Sequence, residues 1–494
     1  MQKKFLKNLG LLLFLNLLIK PFWVLGIDRS VQNVVGSEAF GFYFSILNFS
    51  FLFSLLLDFG ITNFNNRNIA QNNQLLNKHF SGILILKFLL LAVYLIVMFS
   101  VGFLIGYDRQ QFEMLGWISL NQFLLSFILY LRSNISGLLL FKTDSIISVL
   151  DRLLMILFCS ILLWGNIISK PFRIEWFVYS QTLAYGITAL IAFLVVMKKA
   201  AFLKLNWNQP FIFMILKKSL PFALLVMLMA IYFRIDAVII ERLLPENIGE
   251  MQAGIYAQAY RLLDAAGMIA FLFAVLLLPL FSRLLKFKQS VESLVKLSFS
   301  LLFTVSVVIA FGSYFYHVEI IGWLYPIHPE EASDLYSLRL DEASRIFSVL
   351  MFSFIGISTS YVFGTLLTAN GNLKQLNIIA AIAVVVSLVI NFLLVPRLQA
   401  LGSAYASLGS QFLNCILQVI IVQKLFSFRM NYRYLIELSV FVAGVALIGY
   451  ISHMLAYPWK INFLIMLSAS GLLILILRLI NIRELIGILR SEQA

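Results

Sequence analysis

Charge is what this sequence lacks most. Only 12% of its 494 residues are Asp, Glu, Lys or Arg, against about 25% in an ordinary soluble domain. A soluble fold is excluded on that ground. So is a soluble domain held by one anchor, because the mean hydropathy of +0.94 is high for the chain as a whole. Cysteine is nearly absent: Cys159 and Cys415 lie far apart inside apolar runs, without the spacing of a metal site or a disulfide framework. We read both as small packing residues. No Gly-x-x-x-x-Gly-Lys motif occurs, so the chain has no phosphate cradle for hydrolysing ATP itself. Neither a cofactor nor a metal is expected.

What the chain has instead is long apolar runs. Hydrophobic residues make up 61% of it, and stretches such as Leu89–Gly106 and Ile378–Val395 are continuous. A transmembrane β-barrel alternates apolar and polar residues, so continuous runs point to helices. A helix crossing about 30 Å of hydrocarbon needs roughly 20 mostly apolar residues. With short connections that leaves room for about fourteen spans. The start, Met1-Gln2-Lys3-Lys4-Phe5-Leu6-Lys7, resembles the positive end of a signal peptide. No small-residue cleavage site follows, and the run continues through Lys20-Pro21 to Gly26. It reads as a retained first helix.

The net charge of +14 does not imply a nucleic-acid partner, because the basic residues fall in short connections with no domain to carry such a surface. Their distribution is topological. Of the 37 Lys and Arg, 22 lie in the N-terminus, the even-numbered connections and the tail, nine in the odd-numbered connections, and six inside spans. That asymmetry places both termini in the cytoplasm. The expectation is an all-α integral membrane protein of about 14 transmembrane helices in two lobes. Residues 1–200 would form an N-terminal lobe of six spans and 201–218 a basic cytoplasmic linker. Residues 219–425 would form a C-terminal lobe of six more, and 426–494 two further spans and a cytoplasmic tail. The acidic external connection 317–343 lacks apolar periodicity and reads as a solvated loop.

A charge at mid-membrane is costly and usually faces a protein interior or a wet cavity. Lys20 sits halfway along the first span, beside Pro21, where a kink is expected. Arg234 and Asp236 lie in the seventh span, Arg261 and Asp264 in the eighth. Arg261 and Asp264 are three apart and share a helix face, which Gln258 extends outward. Arg suits phosphate and carboxylate because its planar fork donates two parallel hydrogen bonds. Two readings stand: a buried network that only joins the two spans, or a water-accessible cationic cavity formed by Lys20, Arg234 and Arg261. Asp58, Arg132 and Arg152, near the ends of their spans, read as snorkelling to the interface. Gln411, Asn414 and Gln418 recur at intervals of three and four and make a polar stripe able to contact sugar hydroxyls.

Three segments carry a resemblance. The first runs Val34-Val35-Gly36-Ser37-Glu38-Ala39-Phe40-Gly41-Phe42-Tyr43 and ends its span at Leu57-Asp58-Phe59-Gly60-Ile61. The second runs from Ser219-Leu220-Pro221-Phe222 through Arg234-Ile235-Asp236 to Gly254-Ile255-Tyr256-Ala257-Gln258-Ala259-Tyr260-Arg261-Leu262. It closes with Leu278-Pro279-Leu280-Phe281-Ser282. The third runs from Leu366-Leu367-Thr368-Ala369-Asn370-Gly371-Asn372 through Asn391-Phe392-Leu393-Leu394-Val395-Pro396 to Leu401-Gly402-Ser403-Ala404-Tyr405-Ala406. In order and spacing these resemble the polysaccharide (O-antigen, Wzx-type) flippases of the multidrug/oligosaccharidyl-lipid/polysaccharide exporter (MOP) superfamily. The chain departs in having Asn33 where members commonly carry a basic residue, with Arg29 a turn earlier.

The resemblance implies a MATE-like fold of two pseudo-symmetric lobes, an arrangement that the echo of Gly41-Phe42-Tyr43 in Gly254-Ile255-Tyr256 fits. It implies a bacterial inner-membrane flippase that moves an undecaprenyl-pyrophosphate-linked oligosaccharide to the periplasmic leaflet. Lys20, Arg234 and Arg261 would then meet the pyrophosphate or an anionic sugar. Asp236 and Asp264 would orient those cations and couple transport to H+ or Na+. Gln258, Gln411, Asn414 and Gln418 would contact sugars. The expected partners are the lipid-linked substrate, membrane lipids and other polysaccharide-assembly proteins. A lipid II flippase or a multidrug/cation antiporter of the same superfamily is the alternative reading. A membrane-embedded polysaccharide polymerase or ligase would need a larger external region, so an enzyme is not expected.

Overall fold

A computed structural model of the chain describes residues 21–62, 74–138, 140–165, 172–199, 209–327, 332–428 and 431–479, with positions 15, 16, 18, 19, 65 and 69. Among the described residues every regular element is helical. A π-helical stretch over Trp23–Asp28 leads into α1 (Arg29–Leu52), and a 3₁₀ turn follows at Ser54–Leu57. Next come α2 (Leu75–Leu104), α3 (Arg109–Gly137), α4 (Phe141–Trp164), α5 (Ile174–Met197), α6 (Gln209–Leu243) and α7 (Glu246–Lys286). The remainder is α8 (Glu292–Phe315), α9 (His317–Leu324), α10 (Ser333–Ala369), α11 (Leu373–Leu398), α12 (Ala400–Phe426), α13 (Tyr432–His453) and α14 (Trp459–Ile476). Eleven helices among the described residues are long and apolar enough to cross a membrane.

Local sequence explains the irregular start. Pro21 has no N–H to give to a helix, and such gaps are absorbed in membrane helices by local π or 3₁₀ adjustment. The π-helical stretch begins two residues later. Lys20 itself lies outside the described residues. Helical backbone then continues to Gly36, which breaks α1 with φ 82° and ψ 169°. That region is open essentially to glycine alone. The first two spans are therefore joined by this one bend. The second span closes early, because Phe59 and Gly60 take positive φ of 45° and 76°.

The chain divides into two compact units, residues 1–254 and 255–494, the division falling inside α7. The linker expected at 201–218 lies in part outside the described residues, as does the tail beyond 479. In the first unit α3 packs along α5, and a core of Ile83, Leu86, Tyr130, Leu131, Ile135 and Val196 joins α2, α3 and α5. Gly41 and Gly254 bring α1 and the first turns of α7 into backbone contact. A Cβ on Gly41 would lie 1.9 Å from the Glu250 carbonyl oxygen, and one on Gly254 would lie 1.8 Å from that of Ser37. The two glycines of the internal echo thus stand against each other, and Gln32 Nε2 donates to the Gly254 carbonyl at 2.9 Å across the same crossing.

In the second unit α12 packs between α10 and α11, and Val307, Tyr316, Phe441, Val445 and Met466 join α8, α13 and α14. Lipid tails are as apolar as Leu, so membrane helices associate through small and polar residues that allow close packing. α12 follows that rule. It buries Ser403, Ser407, Ser410, Gln411 and Asn414 while Ile416, Val419 and Ile420 face outward. The acidic segment 317–343, expected as a solvated loop, is largely helical. α9 occupies its start, and α10 begins at Ser333, with Asp341 paired to Arg345 at 3.0 Å.

Candidate functional site: buried charges and amides in each unit

In the first unit, the span-end charges expected to snorkel, Asp58, Arg132 and Arg152, are half-buried and engaged by other protein groups. Lys87, on α2, is 1% exposed. Its ammonium donates to Asp58 Oδ1 at 2.5 Å, to the Leu57 carbonyl at 2.9 Å and to Ser126 Oγ at 3.0 Å. The lysine thereby closes the carbonyl end of the second span, where the tight turn at Phe59–Gly60 has ended the helix. Arg132 holds Asp144 through two nitrogens at 2.8 and 3.4 Å. Arg152 donates to the Tyr185 hydroxyl at 3.1 Å and lies over the rings of Trp23 and Tyr185 at 5.6 and 5.8 Å. Sequence reading missed Lys87 altogether. Its partner Asp58 was visible, but nothing in the spacing shows that residues 29 apart meet.

A second closed network stands where α3 begins and α6 ends. Asp108 and Gln111 form a reciprocal capping box on α3, which satisfies two backbone donors at once. Gln111 also donates to Glu241 at 2.8 Å and accepts from Arg242 at 2.8 Å. The Arg242 guanidinium lies 4.4 Å over Tyr107. Sequence reading singled out neither the capping box nor its link to α6. Tyr107 lies outside the spans, and burial pushes its phenol well above the usual range.

Of the expected cavity charges, Arg234 and Asp236 belong to the first unit. Asp236 is 1% exposed, while Arg234 is half-buried with its guanidinium 5.3 Å over the Phe51 ring of α1. The two differ in burial, as expected of residues two apart on a helix. In the second unit Arg261 and Asp264 are both half-buried on α7. Gln258, one turn before Arg261, is 2% exposed and engaged by protein. Its side-chain oxygen accepts from Arg339 Nη1 at 3.4 Å, and its carbonyl accepts from the Tyr325 hydroxyl at 3.2 Å. Arg339 also donates to the Pro326 carbonyl at 3.2 Å. α10, which starts at Ser333, thus begins early enough to bring a cation onto the α7 stripe.

The α12 amides form a stripe, as their spacing requires, and it faces α10. Gln411, Asn414 and Gln418 are 1%, 3% and 6% exposed. Asn414 donates to Ser360 Oγ on α10 at 3.1 Å, and Gln418 donates to Asn414 at 3.2 Å. In apolar surroundings such amides are interhelical ties. Both cysteines are free thiols, and among the described residues no His, Cys, Asp or Glu cluster could hold a metal.

The arrangement defines the class: a polytopic helical membrane protein with buried polar groups at its helix joints. The lipid II flippase MurJ, in an inward closed conformation, matches it with a TM-score of 0.71 at 14% identity, over 94% of this chain and 97% of that one. An inward-facing multidrug resistance MATE family transporter of the MOP superfamily matches with a TM-score of 0.60 at 14% identity, over 82% of this chain and 96% of that one. A MOP superfamily transporter from Pyrococcus furiosus matches with a TM-score of 0.59 at 14% identity, over 85% and 95%. No curated protein matches the sequence. The polysaccharide biosynthesis protein family matches residues 5–285, more than half of the chain. The chain belongs to that family.

Proposed function

We propose that this protein is a flippase for an undecaprenyl-pyrophosphate-linked oligosaccharide, the repeat unit of O-antigen lipopolysaccharide or another surface polysaccharide. It acts by alternating access in a bacterial inner membrane, moving the sugar from the cytoplasmic to the periplasmic leaflet with H+ or Na+ coupling. Its fourteen spans lie in two pseudo-symmetric lobes joined by the basic linker, with both termini cytoplasmic. The observation that carries this reading is the polysaccharide biosynthesis family match on a fold shared with the lipid II flippase MurJ. A pyrophosphate needs cations in a site of low dielectric. Lys20, Arg234 and Arg261 are the set we assign to it, with Asp236 and Asp264 orienting them and carrying the coupling ion. Gln258, Gln411, Asn414 and Gln418 take second place as sugar contacts, because each is more than nine-tenths buried.

The test is to delete the protein and analyse the lipid fraction. The expected result is accumulation of a pyrophosphate-linked oligosaccharide. Accumulation of a peptidoglycan precursor instead would favour the lipid II reading, and an unchanged lipid pool with increased drug sensitivity would favour an antiporter. In the complemented strain, Arg234→Ala and Arg261→Ala should abolish surface polysaccharide display at wild-type membrane levels of protein. Normal display in both variants would remove these residues from the transport path.

A further inference from the structure

Where α3 and α5 begin, at the end of the first unit that the Lys and Arg distribution assigns to the outer face, the structure holds two adjoining cavities that the transport reading does not use. One encloses about 450 Å³ and has aromatic walls from Trp117, Trp176 and Tyr179. The Trp117 and Tyr179 rings meet edge to face at 4.8 Å and keep each other upright. Gln110, Glu113, Glu175 and Arg173 supply its polar wall beside Phe42 and Met114, with Arg173 donating to Glu175 at 2.9 Å. The other encloses about 350 Å³ between α4 and α5, and it shares Trp176 and Tyr179 with the first. Its remaining walls are Phe158, Ile161, Leu162 and Leu183, with Ser180 alone polar. Ile161 and Leu183 are on the exposed flank of the unit. A polar cup thus opens directly into an apolar groove.

Interfacial Trp and Tyr are common as membrane anchors, but a belt residue does not need carboxylates around it. Here three aromatic rings enclose two Glu, one Gln and one Arg. Aromatic faces are electron-rich and attract the C–H faces of a pyranose, while carboxylates and an amide accept and donate to its hydroxyls. Ligand sites join apolar walls to placed polar groups, and in this pair the cup supplies most of the polar groups and the groove the apolar wall. The charges sum to one negative, because two Glu face one Arg. An anionic headgroup is therefore disfavoured here, and a neutral or amino sugar is favoured. The apolar groove beside it suits the first carbons of an isoprenoid or acyl chain.

We propose that this composite cavity is a glycolipid-holding site on the outer face, taking the sugar of a lipid-linked saccharide against Trp117 and Trp176 and its tail between α4 and α5. Its lining shares no residue with the cation set assigned to transport, and it rests on the flippase reading only for the identity of its natural ligand. A site of this kind would keep the translocated product oriented, sugar outward, before the next enzyme takes it.

The full-length protein in phosphatidylglycerol nanodiscs is titrated with farnesyl β-glucoside, which carries sugar and isoprenoid but no phosphate. Farnesol and phosphatidylethanolamine are the controls, and binding is read by native mass spectrometry. Wild type is expected to bind the glucoside at least tenfold more tightly than farnesol. Trp117→Leu and Glu113→Gln, both at exposed positions, should remove that preference and leave farnesol binding unchanged. Leu183→Trp, which fills the groove, should weaken both probes. Arg234→Ala should leave glucoside binding unaltered, so this site and the transport site can fail separately. Equal binding of glucoside and farnesol by wild type, or wild-type binding by both cup variants, overturns the proposal. So does phosphatidylethanolamine binding as tightly as the glucoside with the same sensitivity to Trp117→Leu and Glu113→Gln, which would make the cavity a general lipid-headgroup site.

Discussion

The crossing of α1 with the start of α7 gives the sharpest prediction, because a single methyl group decides it. In Gly254→Ala the new Cβ would sit 1.8 Å from the Ser37 carbonyl oxygen, whereas a tolerated C···O contact is about 3.3–3.6 Å. The obstacle is backbone, so no rotamer relieves it, and the two segments must separate by roughly 1.5 Å. Two costs follow. Forced expansion of a packed joint costs about 1–3 kcal/mol. The Gln32 hydrogen bond to the Gly254 carbonyl, now 2.9 Å, is stretched past its useful range and forfeits about 1 kcal/mol more. The expected loss is about 2–4 kcal/mol. The internal control is Gly267→Ala on the same helix, where a Cβ meets nothing within 4 Å and better helix propensity contributes about 1 kcal/mol in favour. Thermal unfolding of the two detergent-solubilised variants, followed by fluorescence-detected size exclusion, separates them. If Gly254→Ala melts with Gly267→Ala and wild type, the backbone contact is not what holds this joint and the reasoning fails.

Two other perturbations read different forces. Asp58→Asn leaves the Lys87 ammonium buried without its counter-charge, at a cost of about 3–5 kcal/mol, seen as lost membrane yield. The double variant Asp58→Asn/Lys87→Met should recover most of that yield, and no recovery would mean that the lysine serves something other than this pair. Asn414→Ala removes the tie to Ser360 and the acceptor of Gln418. Interhelical hydrogen bonds in membranes are worth about 0.6–1.7 kcal/mol each, so its Tm should fall modestly; unchanged Tm with lost polysaccharide display would make Asn414 a sugar contact and not a helix tie.

Much of the fold was legible because the bilayer imposes a simple rule. Backbone polar groups in hydrocarbon must be satisfied within the element, so long apolar runs can only be helices, and their ends follow from charge and from Gly or Pro. The kink region after Pro21 and the polar stripe on α12 were readable one residue at a time. The stripe's direction was not. Spacing shows that Gln411, Asn414 and Gln418 share a face, but a sugar path and a helix joint look the same until α10 is placed against them. The acidic segment 317–343 misled for a related reason. Its charges pair along the helix, as Asp341 does with Arg345, and carry no apolar period to announce the helical turns.

By itself, then, the amino-acid sequence determined the membrane class, the helical content and some of the costly charges, since each depends on local composition and on the cost of a polar group in lipid. Tertiary structure alone decided which charges are matched. Lys87 with Asp58, Arg132 with Asp144, Gln111 with Glu241 and Arg242, and Gly41 against Gly254 are separated by 12 to more than 200 positions. Electrostatic and steric complementarity acts over a few ångströms of space, and no periodicity along a chain encodes which distant residues will share them.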